Sequence, residues 1–390
     1  MNLKKQLDKL VPEMVQLRRN FHQYPELGFK EFKTGEKIAV YLGKLGIETK
    51  RIAKTGVVGV LSGGKQGKTI LLRSDMDALP IQEETGLEFQ SVHPGVMHAC
   101  GHDGHMAMLL MAAKLLASRK ENIHGKIVFA FQPNEEDAGA YKMIEDGVLQ
   151  NPDIDAAFGS HLWSGLKTGT IDICDGPVMA ASHYFTLTLK GRGGHAGFAH
   201  ESEDPIFVSS HVIQAVQAIQ TRDINALNPC VIMFTCIQGG VNATIIPEKI
   251  ILKGSIRFLY EGGEELLDKF EQTAAGICRL HNCDYDLEFK TGNHLLSNDP
   301  AMAQLVRKTA IGILPDSKQV TARIQTMAGE DFSDFANKVP SAFAFIGIGS
   351  PYKNTTYPHH HPRFDIDETA LATGAELYAT VALKFLKERT

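Results

Sequence analysis

The sequence predicts an α/β protein: a domain with a mixed, mostly parallel sheet, into which a smaller α+β domain is inserted. Short apolar runs alternate with helical stretches over the first 180 residues, and this pattern resumes near residue 295. Strands that alternate with helices are typical of parallel sheets. The length of 390 residues also favours two domains, because it exceeds what one hydrophobic core usually serves.

The first predicted domain consists of residues 1–180 and 295–390. Apolar residues recur at helical spacing between Leu7 and Leu17, which predicts a helix over about 3–24, and a second helix follows. The methionine-rich stretch MAMLLMAAKLLA predicts a further helix in the middle of the domain. Short apolar runs, which we interpret as strands, lie at 57–61, 69–73, 126–131, 155–160 and 342–348.

The inserted domain, residues 181–294, has a different pattern. The segment YFTLTLK alternates with period two, as a half-buried strand does. It is followed by a predicted helix, two strands, a helix and a last strand, at 205–220, 230–238, 250–258, 264–279 and 284–290. This βαββαβ order predicts a ferredoxin-like fold with an antiparallel sheet.

The composition excludes several classes of protein. The net charge is -5 with both signs scattered, so we expect no nucleic-acid partner. There is no apolar run of about 18 residues, so we expect no membrane span. The start, MNLKKQLDKL, lacks the apolar region of a signal peptide, and six scattered cysteines do not suggest a disulfide framework. These features predict a cytoplasmic protein with reduced thiols.

The segment MHACGHDGH, residues 97–105, has the richest chemistry in the chain. It places three imidazoles, a thiol and a carboxylate within nine residues. Sulfur and imidazole nitrogen are ligands for zinc, manganese or cobalt, so Cys100 and His102 are candidate ligands. We interpret His98 and His105 as structural. Two other readings of Cys100 remain open: an ordinary buried thiol, and a nucleophile activated by a histidine base.

Four polar clusters each follow a predicted strand. In open parallel sheets, ligands collect at the carboxyl ends of the strands, so these clusters are expected to meet at one edge. That edge would gather Asp77, Cys100, His102, Glu135, Glu136, His161 and one histidine of the triplet 359–361.

These residue types suit hydrolysis at a pair of cations. Adjacent cations need several anionic or imidazole ligands, and a water shared between them loses a proton near neutral pH. A carboxylate that is not a ligand can take that proton and pass it to a leaving amine. The neighbours Glu135 and Glu136 fit such a division of roles, and Asp77 could accept a hydrogen bond from a ligand imidazole.

Eight segments together carry a family resemblance: RRNFHQYPELGF (18–29), LRSDMDALP (72–80), MHACGHDGHM (97–106), FQPNEE (131–136), HLW (161–163), KGRGGHAG (190–197), GEDFS (329–333) and HHPRFDIDE (360–368). In combination they resemble the M20 metallopeptidase family, specifically its amidohydrolase branch of aminoacylases, hippurate hydrolases and auxin-conjugate hydrolases. The resemblance covers nearly the whole chain. It implies a two-domain protomer in which the insertion serves as lid and dimerisation domain.

The resemblance also implies roles for single residues at a dinuclear metal site. Glu135 would be the general base and acid, and Asp77 would hold a ligand imidazole. His360 is chosen from the triplet because the branch has histidine, any residue, then proline, and Pro362 fits that pattern. Two divalent cations, zinc or manganese with cobalt also compatible, would be bound by Cys100, His102, Glu136, His161 and His360.

In the lid, the resemblance implies that His195 stabilises the oxyanion in a neighbouring subunit's active site and that Arg257 receives a substrate carboxylate. A homodimer through the lid is therefore expected, and a tetramer is also compatible. One departure from the branch concerns the segment GGVNATIIP: Thr244 stands where asparagine is usual, and Asn242 lies two residues earlier.

The implied activity is hydrolysis of N-acyl amino acids to a carboxylate and a free amino acid. A dipeptidase or carboxypeptidase with the same site is an alternative, because acyl amide and peptide bonds break alike. A non-catalytic homologue that only binds such ligands is a further alternative, which missing metal ligands would favour.

Overall fold

The computed structural model describes residues 3–387. Its helices are α1 (Leu3–Gln23), α2 (Phe32–Lys44), α3 (His102–Ala117), α4 (Ala140–Glu145), α5 (Pro205–Ala218), α6 (Glu265–Leu280), α7 (Pro300–Ile313), α8 (Ser333–Ala336) and α9 (Ala370–Phe385). Its strands are β1 (Glu48–Ile52), β2 (Gly56–Ser62), β3 (Lys65–Asp75), β4 (His124–Gln132), β5 (Ala156–Lys167), β6 (Ile171–Asp172), β7 (Gly176–Met179), β8 (Ala181–Lys190), β9 (Gly194–His195), β10 (Cys230–Gln238), β11 (Ile245–Ile246), β12 (Lys249–Phe258), β13 (Asp284–Thr291), β14 (Leu296–Asn298), β15 (Val320–Thr321) and β16 (Ser341–Gly349).

The chain divides into two compact units. The first comprises Met1–Gly176, Ser297–Ile324 and Asp331–Thr390, and the second comprises Pro177–Leu296 with Gln325–Glu330. Among residues 3–387, no helix combines the length and the apolar character that a bilayer span requires.

The first unit is built on an eight-stranded sheet in the order β1-β2-β4-β3-β5-β16-β6-β15. Its centre is parallel, because β3 pairs in parallel with both β4 and β5, and β5 pairs in parallel with β16. The central strands are buried almost throughout; every residue of β16, for example, is buried. Such continuous apolar strands are expected where helices cover both faces of a parallel sheet. The predicted mixed, mostly parallel α/β architecture is therefore confirmed.

Helix α3 lies in the core of the first unit and carries His102 at its start. All of its sixteen residues except Lys114 and Ala117 are buried, so it packs against the core on nearly all sides. The helix begins earlier than the methionine-rich stretch predicted, because it also includes the buried polar turn from His102 to His105. Gly101, with φ +91°, reverses the chain just before it, a conformation that glycine adopts without strain. Cys100 and His102 consequently lie on either side of a tight turn.

A buried ionic network attaches α1 to the start of α3. Arg18, only 1% exposed, bonds Asp103 at 2.8 Å and Asp365 at 2.8 Å. The ring of His22 lies between two carboxylates, with Nδ1 2.8 Å from Asp103 and Nε2 3.1 Å from Glu83. A ring that bonds carboxylates at both nitrogens donates from both, so His22 is an imidazolium.

We expect this imidazolium to give the fold a specific pH dependence. Burial and Arg18 lower the pKa of His22, but the hydrogen bonds to Asp103 and Glu83 outweigh them, so its pKa is raised above 6.5. Such a group stabilises the fold fully below 6.5, and this contribution is lost as the pH rises through the folded-state pKa. Against His22→Gln, wild type should have an unfolding free energy higher by about 3 kcal/mol at low pH. Urea titrations across the pH range should show that this difference in unfolding free energy becomes smaller as the pH rises. A difference that does not change with pH would contradict an ionised His22.

The second unit contains an antiparallel sheet in the order β10-β12-β8-β13. Helices α5 and α6 lie between its strands in sequence, which gives the predicted βαββαβ order. From His183 onwards, strand β8 buries alternate residues, as expected when one face packs on helices. The ferredoxin-like order predicted for the insertion is thus confirmed in its elements and strand order. Strand β1 and helices α4, α7, α8 and α9 have no counterpart among the predicted elements.

Candidate metal centre

Three overlapping groups of ligand atoms form one cluster in the first unit. The ligand atoms of Cys100, His102 and His161 all lie within 4.8 Å of one another, and Cys100 Sγ is 3.4 Å from His161 Nε2. The same criterion joins Cys100 with Glu136 and His360, and joins His102 with Glu135 and Glu136. All five ligands named from the sequence, together with Glu135, therefore lie in one place.

The two buried histidines of the cluster present the same ring nitrogen to it. His102 Nδ1 lies 2.9 Å from the backbone oxygen of Asp77, and His161 Nδ1 lies 2.7 Å from that of Leu162. A carbonyl oxygen only accepts, so Nδ1 carries a proton in both rings, and Nε2 is the nitrogen that a cation can bind in its unprotonated form. Both rings are thus oriented, with the tautomer fixed, to bind a cation through Nε2.

Asp77 also holds the turn that carries the two glutamates. Its Oδ1 accepts the backbone N–H of Glu135 at 3.0 Å, and its Oδ2 accepts that of Glu136 at 3.1 Å. Its Oδ1 lies 3.3 Å from His102 Nδ1 as well. A single carboxylate therefore fixes a histidine and the Glu135–Glu136 backbone relative to each other.

The histidine triplet divides its members among different environments. His360 Nε2 lies 3.3 Å from Glu136 Oε1, and its side chain is 52% exposed. His359 instead donates from Nε2 to the Leu162 oxygen at 2.9 Å and packs on Trp163. His361 stacks on Tyr357. Only His360 of the triplet belongs to the ligand groups, and its exposure leaves one side of the cluster open to solvent.

The charges in the cluster favour a cation. Burial lowers the pKa of His102, but Asp75, Asp77 and Glu136 outweigh it and raise its pKa to about 10. Burial and the charges of Glu136 and Glu135 raise the pKa of Cys100 well above 9.0. Both shifts have the same meaning: the carboxylates create a negative potential that a positive charge would relieve.

Unpaired atoms provide an independent test of whether a metal fits. His102 Nε2 and Glu136 Oε1 are buried and have no hydrogen-bond partner among the described residues. Buried polar atoms are rarely left without one. Burial, with the nearby imidazoles of His105 and His359, holds the pKa of His161 well below 6.5, so its Nε2 stays unprotonated. A thiol, imidazole nitrogens and carboxylates at these distances are a donor set for transition-metal cations.

The position of His161 differs from the expected strand end. Strand β5 continues to Lys167, so His161 lies within it, opposite Phe345 of β16. The pairing of β5 with β3 ends earlier, at Phe158, which leaves one edge of β5 free beside His161. The neighbouring strand's end, rather than the end of β5 itself, exposes His161 to the cluster.

Two buried residues beside the cluster were missed as functional candidates. Asp75 lies 3.8 Å from His102 Nε2, and His105 bonds Asp75 through Nδ1 at 2.6 Å. Two features of the sequence could have pointed to them. Asp75 is the last residue of the strand that Asp77 follows, and His105 lies one helical turn after His102.

His195 and Arg257 lie in the second unit and are not members of the cluster. His195 ends β9, where it pairs with Ile245, and its Nδ1 accepts the Gly197 N–H at 3.0 Å. This leaves the His195 proton on Nε2, as a donor. Arg257 donates to the Met327 backbone oxygen at 2.7 Å.

The Asn242–Thr244 turn lies beside His195. The backbone oxygen of Thr244 accepts the Ala196 N–H at 3.0 Å. Asn242 Oδ1 accepts both the backbone N–H and the hydroxyl of Thr244, each at 2.9 Å. The departure from the usual asparagine is therefore located next to the proposed oxyanion donor of the same unit.

A sulfur, imidazole and carboxylate cluster beside a largely parallel sheet is typical of a metallohydrolase. The chain belongs to peptidase family M20/M25/M40, whose model matches residues 71–384. It is 38% identical to thermostable carboxypeptidase 1 of Saccharolobus solfataricus, over 98% of each chain. It is 39% identical to N-acetyl-L-cysteine deacetylase of Bacillus subtilis, over 94% of this chain and 86% of that protein. Among solved structures, the YXEP protein of Bacillus subtilis, a dinuclear metal binding peptidase of the M20 family, superposes with a TM-score of 0.86 at 31% identity, covering 97% of this chain and 99% of that one.

Proposed function

We propose that this chain hydrolyses the amide bond of N-acyl amino acids, releasing a carboxylate and a free amino acid, with two divalent cations as cofactors. One observation carries the proposal: Glu135, which is not needed as a ligand, lies 3.8 Å from the cation-facing Nε2 of His102. It is 8% exposed and shares a turn with the ligand Glu136. This distance supports the role of Glu135 as a base beside the proposed cation site, which is open to solvent on the His360 side.

Cys100, His102, Glu136, His161 and His360 would hold the two cations. When bound, such cations polarise the scissile carbonyl and lower the pKa of a water. The thiolate favours zinc, whereas the carboxylate and imidazole ligands also suit manganese or cobalt. Asp77 contributes by fixing the backbone of both glutamates, which keeps Glu135 oriented towards the cluster.

Glu135 is the proton carrier in this proposal. Its carboxylate takes a proton from the attacking water and later gives it to the nitrogen of the leaving amine. Proton transfer requires the carboxylate to lie within hydrogen-bonding distance of the water and of the amine. The short turn between Asn134 and Ala138 holds the Glu135 backbone in one position for this purpose.

Two residues of the second unit are proposed to bind the substrate, and His195 would do so in the active site of a neighbouring subunit. His195 is a neutral ring with its proton on Nε2, which suits donation to the oxyanion of the tetrahedral intermediate. Arg257 uses one of its N–H groups on Met327, and its remaining donors suit a substrate carboxylate.

We expect His195→Ala to lower kcat by about 10²- to 10³-fold, because one oxyanion donor is lost. Metal content should stay unchanged, since His195 is not a member of the cluster. His200→Ala is the matched control: it lies in the short helical segment that follows His195 directly, and its side chain is 77% exposed. Steady-state kinetics that show equal losses in both variants would remove His195 from the mechanism.

The second unit is also proposed as the dimerisation surface. Strand β10 lies at an edge of its sheet, and its side chains Met233 and Ile237 are 51% and 60% exposed. An apolar, unpaired edge strand is a surface on which another chain can pair. Sedimentation would distinguish the homodimer from a tetramer or a monomer. A cytoplasmic location stays a prediction; free thiols at all six cysteines support it.

A peptidase activity at the same site is the second candidate, because two relatives are named carboxypeptidases. A panel of acetylated and benzoylated amino acids and of dipeptides, each tested with zinc, manganese and cobalt, separates the two. Preference for acylated amino acids supports the proposal, and preference for dipeptides favours the alternative. Protein that holds metal and binds N-acyl amino acids without turnover would instead be a non-catalytic homologue.

A further inference from the structure

Three histidine rings bond to the backbone of a single residue, Leu162. Its oxygen accepts from His161 Nδ1 at 2.7 Å and from His359 Nε2 at 2.9 Å. Its N–H donates to His105 Nε2 at 2.9 Å. The orientation of the His161 ring therefore depends on where the Leu162 backbone is held.

The bond from Leu162 determines the protonation of His105. A nitrogen that accepts an N–H carries no proton, so the proton of this fully buried ring is on Nδ1. Nδ1 lies 2.6 Å from Asp75 Oδ1 and donates to it. His105 is thus a directional link, with the Asp75 carboxylate on one side and the Leu162 backbone on the other.

Asp75 is itself held from the opposite side. Its Oδ2 accepts from Arg73 at 2.8 Å, and Arg73 donates further to Gln132 Oε1 at 2.8 Å and Asp331 Oδ1 at 2.9 Å. All four side chains are at most 1% exposed. A fully bonded network without water access has one arrangement, so Asp75 gives His105 a fixed reference point.

We infer that Asp75 and His105 are positioning residues of the metal centre, because they hold the Leu162 backbone and thereby direct His161 Nε2 towards the cations. The inference deepens the proposed function and rests on its metal site. Asp75 adds a second effect, since its carboxylate lies 3.8 Å from His102 Nε2 and attracts positive charge there. Partners that orient metal-binding histidines typically change metal affinity about 10- to 100-fold.

Two substitutions of His105 separate positioning from simple packing. His105→Gln can place an amide oxygen where Nε2 accepts from Leu162, whereas His105→Asn can reach only Asp75. Asp75→Asn tests the other end of the link. Both carboxylate oxygens accept hydrogen bonds, one from Arg73 and one from His105, so in either orientation the NH₂ group of the asparagine would face a donor and lose that bond. Tyr378→Phe is the control. Its buried hydroxyl bonds the backbone of Arg73 in β3 and of Ser160 in β5, the strands that also carry Asp75 and Leu162, but it has no hydrogen bond to Leu162.

The measurements are zinc and cobalt affinity of the metal-stripped full-length protein and the visible spectrum of its cobalt form. We expect His105→Asn and Asp75→Asn to bind one cation about 10- to 100-fold more weakly and to alter the cobalt d–d bands, with Cys100-to-cobalt charge transfer retained. His105→Gln and Tyr378→Phe should stay close to wild type. If Asp75→Asn does not fold, the His105 pair carries the test alone.

Wild-type affinity in His105→Asn would overturn the inference, and so would an equal loss in Tyr378→Phe or an equal loss in His105→Gln. A wild-type protein that binds no metal would instead overturn the proposed function, so the two failures are distinguishable. Equal urea midpoints of the metal-free variants would exclude a general loss of stability as the cause of weaker binding.

Discussion

Glu135→Gln should reduce turnover of an N-acyl amino acid by about 10²- to 10⁴-fold, and its content of bound metal should remain that of wild type. The amide keeps the size of the side chain and removes its ability to accept a proton. The Asp77 bonds go to the backbone N–H groups of Glu135 and Glu136, so the turn itself is not disturbed. Steady-state kinetics combined with elemental analysis measure both quantities on the same sample.

Glu136→Gln is the matched control, since it makes the same chemical change one residue later. Its Oε1 is buried, has no hydrogen-bond partner among the described residues and lies 3.3 Å from His360 Nε2, so this change should lower metal content as well as turnover. If both variants lost metal equally, Glu135 would be a ligand and the proton carrier would have to be sought elsewhere. Unchanged turnover in Glu135→Gln would exclude it as the base.

The sequence was sufficient for the fold class and for the residues of the cluster because both depend on local signals. Apolar runs and their periodicity predict strands and helices, and carboxyl ends of parallel strands meet at one edge. This is why Cys100, Glu136 and His161, which are far apart along the chain, could be expected together. The ligand groups of the structure contain all five predicted ligands.

Hydrogen bonds between distant residues had no such signal. His105 and Leu162 are 57 positions apart, and Arg73 and Asp331 are 258 apart, so no periodicity connects them. Likewise, Gln325–Glu330 belongs to the second unit, although it follows a long stretch of the first. Partners of this kind follow from packing of the whole domain, and for this reason the sequence alone predicts only a structural role for His105.

Cys100 gives the second large effect, and its substitutions decide between two chemical roles. As a ligand it contributes negative charge to the cations, so Cys100→Ala should lose metal and reduce turnover by about three orders of magnitude. Cys100→Asp supplies an anionic oxygen in place of sulfur, so it should retain part of the bound metal and part of the turnover. Its preferred cation should change from zinc towards manganese. Elemental analysis and kinetics with each cation measure the two quantities.

A nucleophilic thiol predicts the opposite pattern: both variants inactive, each with full metal content. The surroundings of the thiol argue against that outcome. Burial and the charges of Glu136 and Glu135 hold the pKa of Cys100 well above 9.0, and a thiol in that state is a poor nucleophile. Only a nearby cation would reverse that shift, and then the sulfur lone pair is engaged by the metal. The cation that would make Cys100 a thiolate would therefore also be bound by its sulfur, which leaves the thiolate unavailable as a nucleophile. For this reason Cys100→Asp, which can still bind a cation, should keep part of the activity, whereas Cys100→Ala should not.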